Sequence, residues 1–154
     1  METETKPLSQ KLTVRCQFCD TWNRINADKV IDGPKCGKCT KPILLERPVP
    51  LNDETFARTI SESDVPVAVD FYADWCGPCR MMAPAVDALA AHLQGKALVG
   101  KLNTDHSSRT ASGFDIRGIP TTIVFRAGKE VARQSGALPL EALKQLMVRA
   151  GVAI

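Results

Sequence analysis

The apolar positions of this 154-residue chain change period along its length, and each change marks an element. Val65-Pro66-Val67-Ala68-Val69-Asp70-Phe71-Tyr72-Ala73 is short and β-branched, as a buried strand is, and Asp70 is the one carboxylate within it. From Cys76 the spacing turns helical through Val86, Leu89 and Leu93, with Pro84 expected to kink the helix. Asn52 or Asp53 caps an earlier helix running to about Ile60. Downstream, residues 97–102 read as a strand and 107–114 as a short helix. Residues 121–125 and 130–135 form an antiparallel hairpin around Ala127-Gly128-Lys129, and 140–150 an amphipathic helix. Alternating strands and helices followed by a hairpin and a helix predict an α/β fold, a mixed central sheet with helices on both faces.

Ahead of this pattern the elements are shorter. Residues 12–15 and 22–25 read as strands, Gly33-Pro34 as a turn and 42–45 as a closing strand. Glu46-Arg47-Pro48-Val49-Pro50 joins this unit to the larger one, with Val49 entering the larger unit's first strand. The expected organisation is a polar, disordered tail over 1–11, a small domain over 12–46 and a larger domain over 47–154.

All six cysteines fall into three C-x-x-C pairs. Cys76-Gly77-Pro78-Cys79 stands where strand gives way to helix. A thiol at that junction meets unpaired backbone N–H groups and the positive end of the helix dipole, which favour thiolate over thiol. Cys76 is the expected nucleophile. Cys79, almost one turn on, is placed to attack a mixed disulfide at Cys76 and release the reduced substrate. The alternatives are inert buried cysteines or half of a metal site.

Cys16-x-x-Cys19 and Cys36-x-x-Cys39 are separated by sixteen residues, a spacing that marks a tetrahedral zinc site. Four thiolates close the coordination shell, so one zinc ion, structural rather than catalytic, is the expected cofactor. A unit this small needs it to fold. Asp20 and Thr40 follow the two pairs, where zinc knuckles often carry glycine. Two disulfides or an iron–sulfur cluster are the competing readings, opposed by a reducing compartment and by the spacing. His92 and His106 are expected at the surface.

The segment from Val69 to Pro84, with Trp75-Cys76-Gly77-Pro78-Cys79 at its centre, resembles the active-site region of thioredoxins. Lys101-Leu102-Asn103-Thr104-Asp105, Ile116-Arg117-Gly118-Ile119-Pro120-Thr121-Thr122 and Gly136-Ala137-Leu138 recur at thioredoxin-like distances. The likeness covers about residues 47–154, and the cysteine-bearing extension is similar to that of the zinc-containing bacterial thioredoxin 2 type, a zinc-ribbon-like domain. Tyr72 departs from the pattern, since many bacterial thioredoxins carry tryptophan there.

The resemblance implies the thioredoxin fold and a protein disulfide reductase recharged by NADPH-dependent thioredoxin reductase, with disulfide-containing proteins as substrates. Strand alternation sets Asp70 on the opposite face from Val69 and Phe71, below the Cys76 helix, where burial raises its proton affinity. In line with the family, Asp70 takes the proton of Cys79, with Lys101 tuning it; a quiet Asp70–Lys101 pair is the alternative. Ile119-Pro120 resembles the family's cis-proline element, expected to face Cys76 and expose the Ile119 backbone to a substrate strand. Trp75, Gly77, Pro78, Ile119, Gly136 and Ala137 then form an apolar docking patch around Cys76.

Charge and targeting narrow the setting. The net charge of +3 resides in residues 1–50, which hold nine Lys and Arg against six Asp and Glu; one zinc with four thiolates reduces it to +1, too small an excess to point to a nucleic-acid partner. Met1 to Pro7 is polar and acidic, unlike a signal peptide, and no apolar run suffices to span a bilayer, so a cytoplasmic protein with no membrane partner is expected. A disulfide isomerase or oxidase, or a zinc-dependent binding or redox-sensing module, are the competing functions.

Overall fold

The computed structural model describes residues 10–154. The tail expected over 1–11 lies outside the described residues as far as Ser9. The last two positions of that range are structured: the Gln10 carbonyl accepts from the Ala27 N–H at 2.8 Å, and Lys11 opens a strand.

The N-terminal unit is a two-stranded antiparallel ribbon, β1 (Lys11–Arg15) and β2 (Trp22–Asn26), in which Leu12 pairs with Ile25. A 3₁₀ helix follows over Ala27–Asp32, burying Ala27 and Val30 three residues apart and ending on Gly33 at φ +74°. That spacing is the 3₁₀ period, too short a run to stand out in the hydrophobic pattern. The closing strand expected over 42–45 is instead a single bridge between Lys35 and Pro42. Proline lacks the N–H that would extend the ladder.

The larger unit is a five-stranded sheet in the order β3-β5-β4-β6-β7. Strands β3 (Val49–Leu51), β4 (Val67–Tyr72) and β5 (Leu98–Asn103) are parallel, while β6 (Thr121–Arg126) runs antiparallel to β4 and β7 (Lys129–Ser135) antiparallel to β6, with an irregularity between Val124 and Phe125. Helix α1 (Phe56–Glu62) begins later than the sequence pattern indicates. The Asn52 Oδ1 accepts from the Glu54 and Thr55 N–H groups at 2.9 and 3.0 Å, closing a turn ahead of the helix. Helix α2 (Gly77–His92) continues through Pro84 without interruption; α3 (Ser108–Gly113) and α4 (Leu140–Arg149) complete the fold.

The central strands β4, β5 and β6 are buried on both sides, whereas the edge strand β7 is largely exposed. One face sets Val67, Val69, Phe71, Ile123 and Phe125 against Phe56 and Ile60 of α1 and against Phe114. The other sets Ala68, Val99 and Val124 beneath Met82, Val86 and Leu89 of α2 and Leu143, Leu146 and Met147 of α4. A strand covered on both faces carries a continuous apolar run, which is why Asp70 is conspicuous in β4.

The ribbon lies against α1. Leu12, Val14 and Ile25 share an apolar cluster with Phe56, Ile60 and Val65. Its hydrogen bonds gather at the end of α1: the Thr13 N–H donates to Ser63 Oγ at 3.0 Å, the Asp64 N–H to the Lys11 carbonyl at 2.7 Å, and Arg24 Nη1 to the Glu62 carbonyl at 2.8 Å, while Arg15 lies 3.8 Å from the Glu54 carboxylate ahead of the helix. The Arg58 guanidinium stacks over the Trp22 ring at 4.5 Å. The ribbon thus covers the sheet face opposite to the one that α2 covers.

Candidate functional site

The chain leaves β4 at the carboxyl end of the parallel strands and reaches Cys76, the N-cap of α2, in an extended conformation with φ −82° and ψ 113°. The Cys79 N–H donates to the Cys76 sulfur at 3.2 Å. Pro78, in the first turn, has no N–H to leave unsatisfied. Cys76 and Cys79 form a disulfide with their Cα atoms 5.2 Å apart. The Cys76 Sγ lies 3.7 Å from the Ile119 carbonyl oxygen, and the Ile119–Pro120 peptide bond is cis.

Neighbouring loops are tied to this site. The Gly136 N–H donates to the Pro120 carbonyl at 2.8 Å, and the Leu138 N–H to Met82 Sδ of α2 at 3.2 Å, so the loop carrying Ala137 is fastened at both ends. Gly136 sits at φ +96°, a conformation that favours glycine. Trp75 is 67% exposed, and its indole N–H donates to Asp105 Oδ2 at 2.8 Å.

On the face of β4 that α2 covers, two residues on from Ala68, Asp70 is 7% exposed and lies in register with Lys101 on β5 and Thr122 on β6. Burial pushes its carboxyl up to about 7, against the opposing pull of the Lys101 ammonium. Lys101 and Asp70 form no ion pair among the described residues; the Lys101 ammonium lies 5.9 Å from the Tyr72 ring centroid. The Asp70 Oδ1 and the Thr122 hydroxyl are both buried without a hydrogen-bond partner.

A second constellation occupies the ribbon. The sulfurs of Cys16, Cys19, Cys36 and Cys39 all lie within 4.8 Å of one another. Cys16 is 3.6 Å from Cys39, and Cys19 is 3.6 Å from Cys36. The two C-x-x-C turns are near copies. The Phe18 N–H donates to Cys16 Sγ and the Lys38 N–H to Cys36 Sγ, each at 3.4 Å, and Asp20 and Thr40 take left-handed conformations at φ +64° and +66°. The conformation glycine favours is therefore present without glycine.

Four thiols so close cannot all ionise unaided. Cys36 is held down to about 6 by the Cys39 N–H, Asn23 and the Lys38 N–H, whereas Cys39 is pushed up to about 11, despite the Lys41 N–H, by burial and its thiol neighbours. Tetrahedral zinc with bonds of about 2.3 Å would set sulfurs about 3.8 Å apart, so the donor set fits a divalent metal of that size. His92 and His106 are exposed in the other unit.

The thioredoxin family profile matches residues 47–149. The chain belongs to the thioredoxin family. A second profile, that of the thioredoxin 2 N-terminal segment, a zinc ribbon, matches residues 15–41. Thioredoxin C-3 of Corynebacterium nephridii is 38% identical over 134 residues, covering 87% of this chain and 92% of its own length. Thioredoxin 1 of Nostoc sp. is 47% identical over 97 residues, 63% of this chain and 91% of its own. Among solved structures, a single-substitution mutant of the thioredoxin from Halobacterium salinarum aligns with a TM-score of 0.64 at 33% identity, covering 73% of this chain and 96% of that one.

Family membership together with the Cys76–Cys79 pair makes the protein a thiol–disulfide oxidoreductase, a protein disulfide reductase. The ribbon holds a four-cysteine site able to bind a metal. Among the described residues, no helix is long and apolar enough to cross a membrane. Sequence reasoning missed two neighbours of the dithiol site. Asp105, which holds Trp75, stands in a polar turn, and Thr122 reads as an ordinary strand former.

Proposed function

We propose that this thioredoxin reduces substrate disulfides through Cys76 as nucleophile and Cys79 as resolving thiol. The observation that carries the reading is the position of Cys76 at the N-cap of α2, with its sulfur accepting the Cys79 N–H. Hydrogen-bond donation and the helix dipole stabilise the thiolate. The Cys76 thiolate attacks one sulfur of the substrate, the substrate S–S bond breaks, and the leaving sulfur takes a proton. Asp70 then accepts the Cys79 proton, and the Cys79 thiolate attacks Cys76 Sγ. The second substrate thiol departs, two electrons have passed to the substrate, and Cys76 and Cys79 are joined as they are here.

Trp75, Gly77, Pro78, Ile119, Gly136 and Ala137 frame the apolar docking surface, and the Ile119 backbone beside Pro120 receives an extended substrate strand. Lys101 tunes Asp70 across the β4–β5 pair. NADPH-dependent thioredoxin reductase returns the dithiol. Zinc bound by Cys16, Cys19, Cys36 and Cys39 is structural, supported by a donor set of four thiols with no place for water. Thiolates retained as metal ligands suit a reducing compartment such as the cytoplasm.

The test couples the protein to thioredoxin reductase and NADPH with a disulfide-bonded protein substrate. Turnover is expected in the native protein and none in Cys76→Ser. Cys79→Ser should accumulate a mixed disulfide with substrate. Turnover surviving in Cys76→Ser, or a Cys79→Ser protein that traps nothing, rejects the assignment.

A further inference from the structure

Resting on the reading of Asp70 as proton acceptor for Cys79, we propose that Thr122 is a positioning residue whose hydroxyl supplies a hydrogen bond to the Asp70 carboxylate, through one bridging water or after a χ1 rotation. Two buried orphan atoms carry the inference. Asp70 and Thr122 are direct cross-strand partners in the β4–β6 pair, 7% and 3% exposed. The Asp70 Oδ1 and the Thr122 Oγ1 both lack a partner. Buried polar atoms are rarely left so, and two of them in one cross-strand pair solve the same deficit.

Their surroundings leave few other donors. Ala68 and Val124, the next pair along this face, are apolar and lie under α2. Lys101 approaches Asp70 from β5, and Tyr72 lies two residues on along β4. Helix α2 brings Cys76 and Cys79, joined as a disulfide in this state. From β7 the residue opposite Thr122 is Gln134, which carries no charge. Helix α4 packs Leu143, Leu146 and Met147 into this core, while its Glu141 and Lys144 pair with each other. Thr122 is thus the neutral hydroxyl donor in direct register with the carboxylate.

A hydroxyl can donate to the carboxylate or accept from the carboxylic acid, and the bond to the charged form is the stronger. Thr122 therefore favours the ionised state, opposing the burial that favours the neutral one. It keeps Asp70 able to take a proton from Cys79 near neutral pH and to give it up afterwards.

The experiment titrates the Asp70 carboxyl carbon by NMR in the oxidised protein, where the two thiols do not ionise. Native protein, Thr122→Val, Thr122→Ala and Thr122→Ser are compared. Removing the hydroxyl should move the Asp70 midpoint upward by about half a unit to one unit, a three- to tenfold rise in proton affinity, and serine should restore it. A midpoint unmoved in both Thr122→Val and Thr122→Ala, or one moved as far by serine as by valine, overturns the proposal. Asp70→Asn in the reduced protein, followed by the pH dependence of mixed-disulfide resolution, tests the underlying reading separately. An unchanged profile there removes the proton-acceptor role, while the carboxyl titration still decides whether Thr122 acts on Asp70.

Discussion

Asp70 on β4 is the direct cross-strand neighbour of Lys101 on β5, yet its Oδ1 has no hydrogen-bond partner and no ion pair joins the two. A carboxylate in this position is poorly solvated and only distantly compensated. That is the condition in which it holds a proton at pH values where an exposed aspartate has lost it. In the proposed mechanism, that raised proton affinity is what lets the carboxylate take the Cys79 proton.

The stability consequence has a definite sign. Burial pushes the Asp70 carboxyl up to about 7 in the folded protein, against about 3.9 in the unfolded chain. Below the lower value both states are protonated and nothing is lost. Between the two, the unfolded chain releases a proton that the native state retains, so stability falls as pH rises, and the full loss is present above 7. Asp70→Asn should therefore stabilise the oxidised protein at pH 8, by an amount on the order of a few kcal/mol, with the gain fading toward pH 4. Denaturant titrations at pH 4, 6 and 8 measure this. A gain that does not depend on pH would mean that the carboxyl is not the source.

Gly95 reports on how the ribbon is seated. It adopts φ +82°, and a Cβ there would stand 2.8 Å from the Ala27 carbonyl oxygen, a backbone atom of the N-terminal unit. Gly95→Ala should destabilise the protein by about 1–3 kcal/mol, from backbone strain and overpacking together. The effect should be concentrated in the ribbon: amides of β1 and β2 should exchange faster, with those of β4 and β6 little changed. Uniformly accelerated exchange would point to a general loss of stability instead.

Much of this architecture was legible because its signals are local. C-x-x-C at a strand-to-helix boundary, two further pairs at metal spacing, and a lone carboxylate in an apolar run each announce themselves within a few residues. The ribbon's seat on α1 left no such trace. Its polar part is made by the Ser63 hydroxyl, the Glu62 and Lys11 carbonyls and the backbone of Thr13, groups that carry no hydrophobic periodicity, and the apolar alternation of Leu12, Val14 and Ile25 does not say which helix they face. The 3₁₀ helix at Ala27–Asp32 is too short to establish a period, and Pro42 ended a strand that Ile43-Leu44-Leu45 otherwise imitates. Thr122 escaped notice because threonine in a strand is ordinary until its unpartnered oxygen is seen opposite Asp70.

Metal removal should separate the two units. Without a cation, the crowded sulfurs of Cys16, Cys19, Cys36 and Cys39 lose what holds both turns together, and the ribbon has little apolar core of its own. Chelation should abolish exchange protection over β1 and β2 while the five-stranded sheet, packed between α1 on one face and α2 and α4 on the other, stays folded. Disulfide reduction should persist within a few-fold, because the ribbon covers the face opposite α2. Unfolding of both units together, or complete loss of reductase activity with the sheet intact, would show that the ribbon supports the dithiol site directly.

The two metal-binding turns differ in one energetic respect. Asp20 and Thr40 hold equivalent left-handed positions, their N–H groups each donating at 3.0 Å to the carbonyls of Cys16 and Cys36. Aspartate visits this region with little penalty, but β-branched threonine is strained there by about 1–2 kcal/mol. Glycine relieves that strain and forfeits about 0.4–1 kcal/mol through the greater freedom of the unfolded chain. The balance favours Thr40→Gly, which should stabilise the ribbon and slow metal release to a chelator, while Asp20→Gly should gain less. The Arg15–Asp20 contact at 3.8 Å is largely solvent-exposed on the Asp20 side and contributes little to that comparison. Release kinetics of the two variants decide it: faster release from Thr40→Gly than from the native protein would show that the threonine side chain supports the turn instead of straining it.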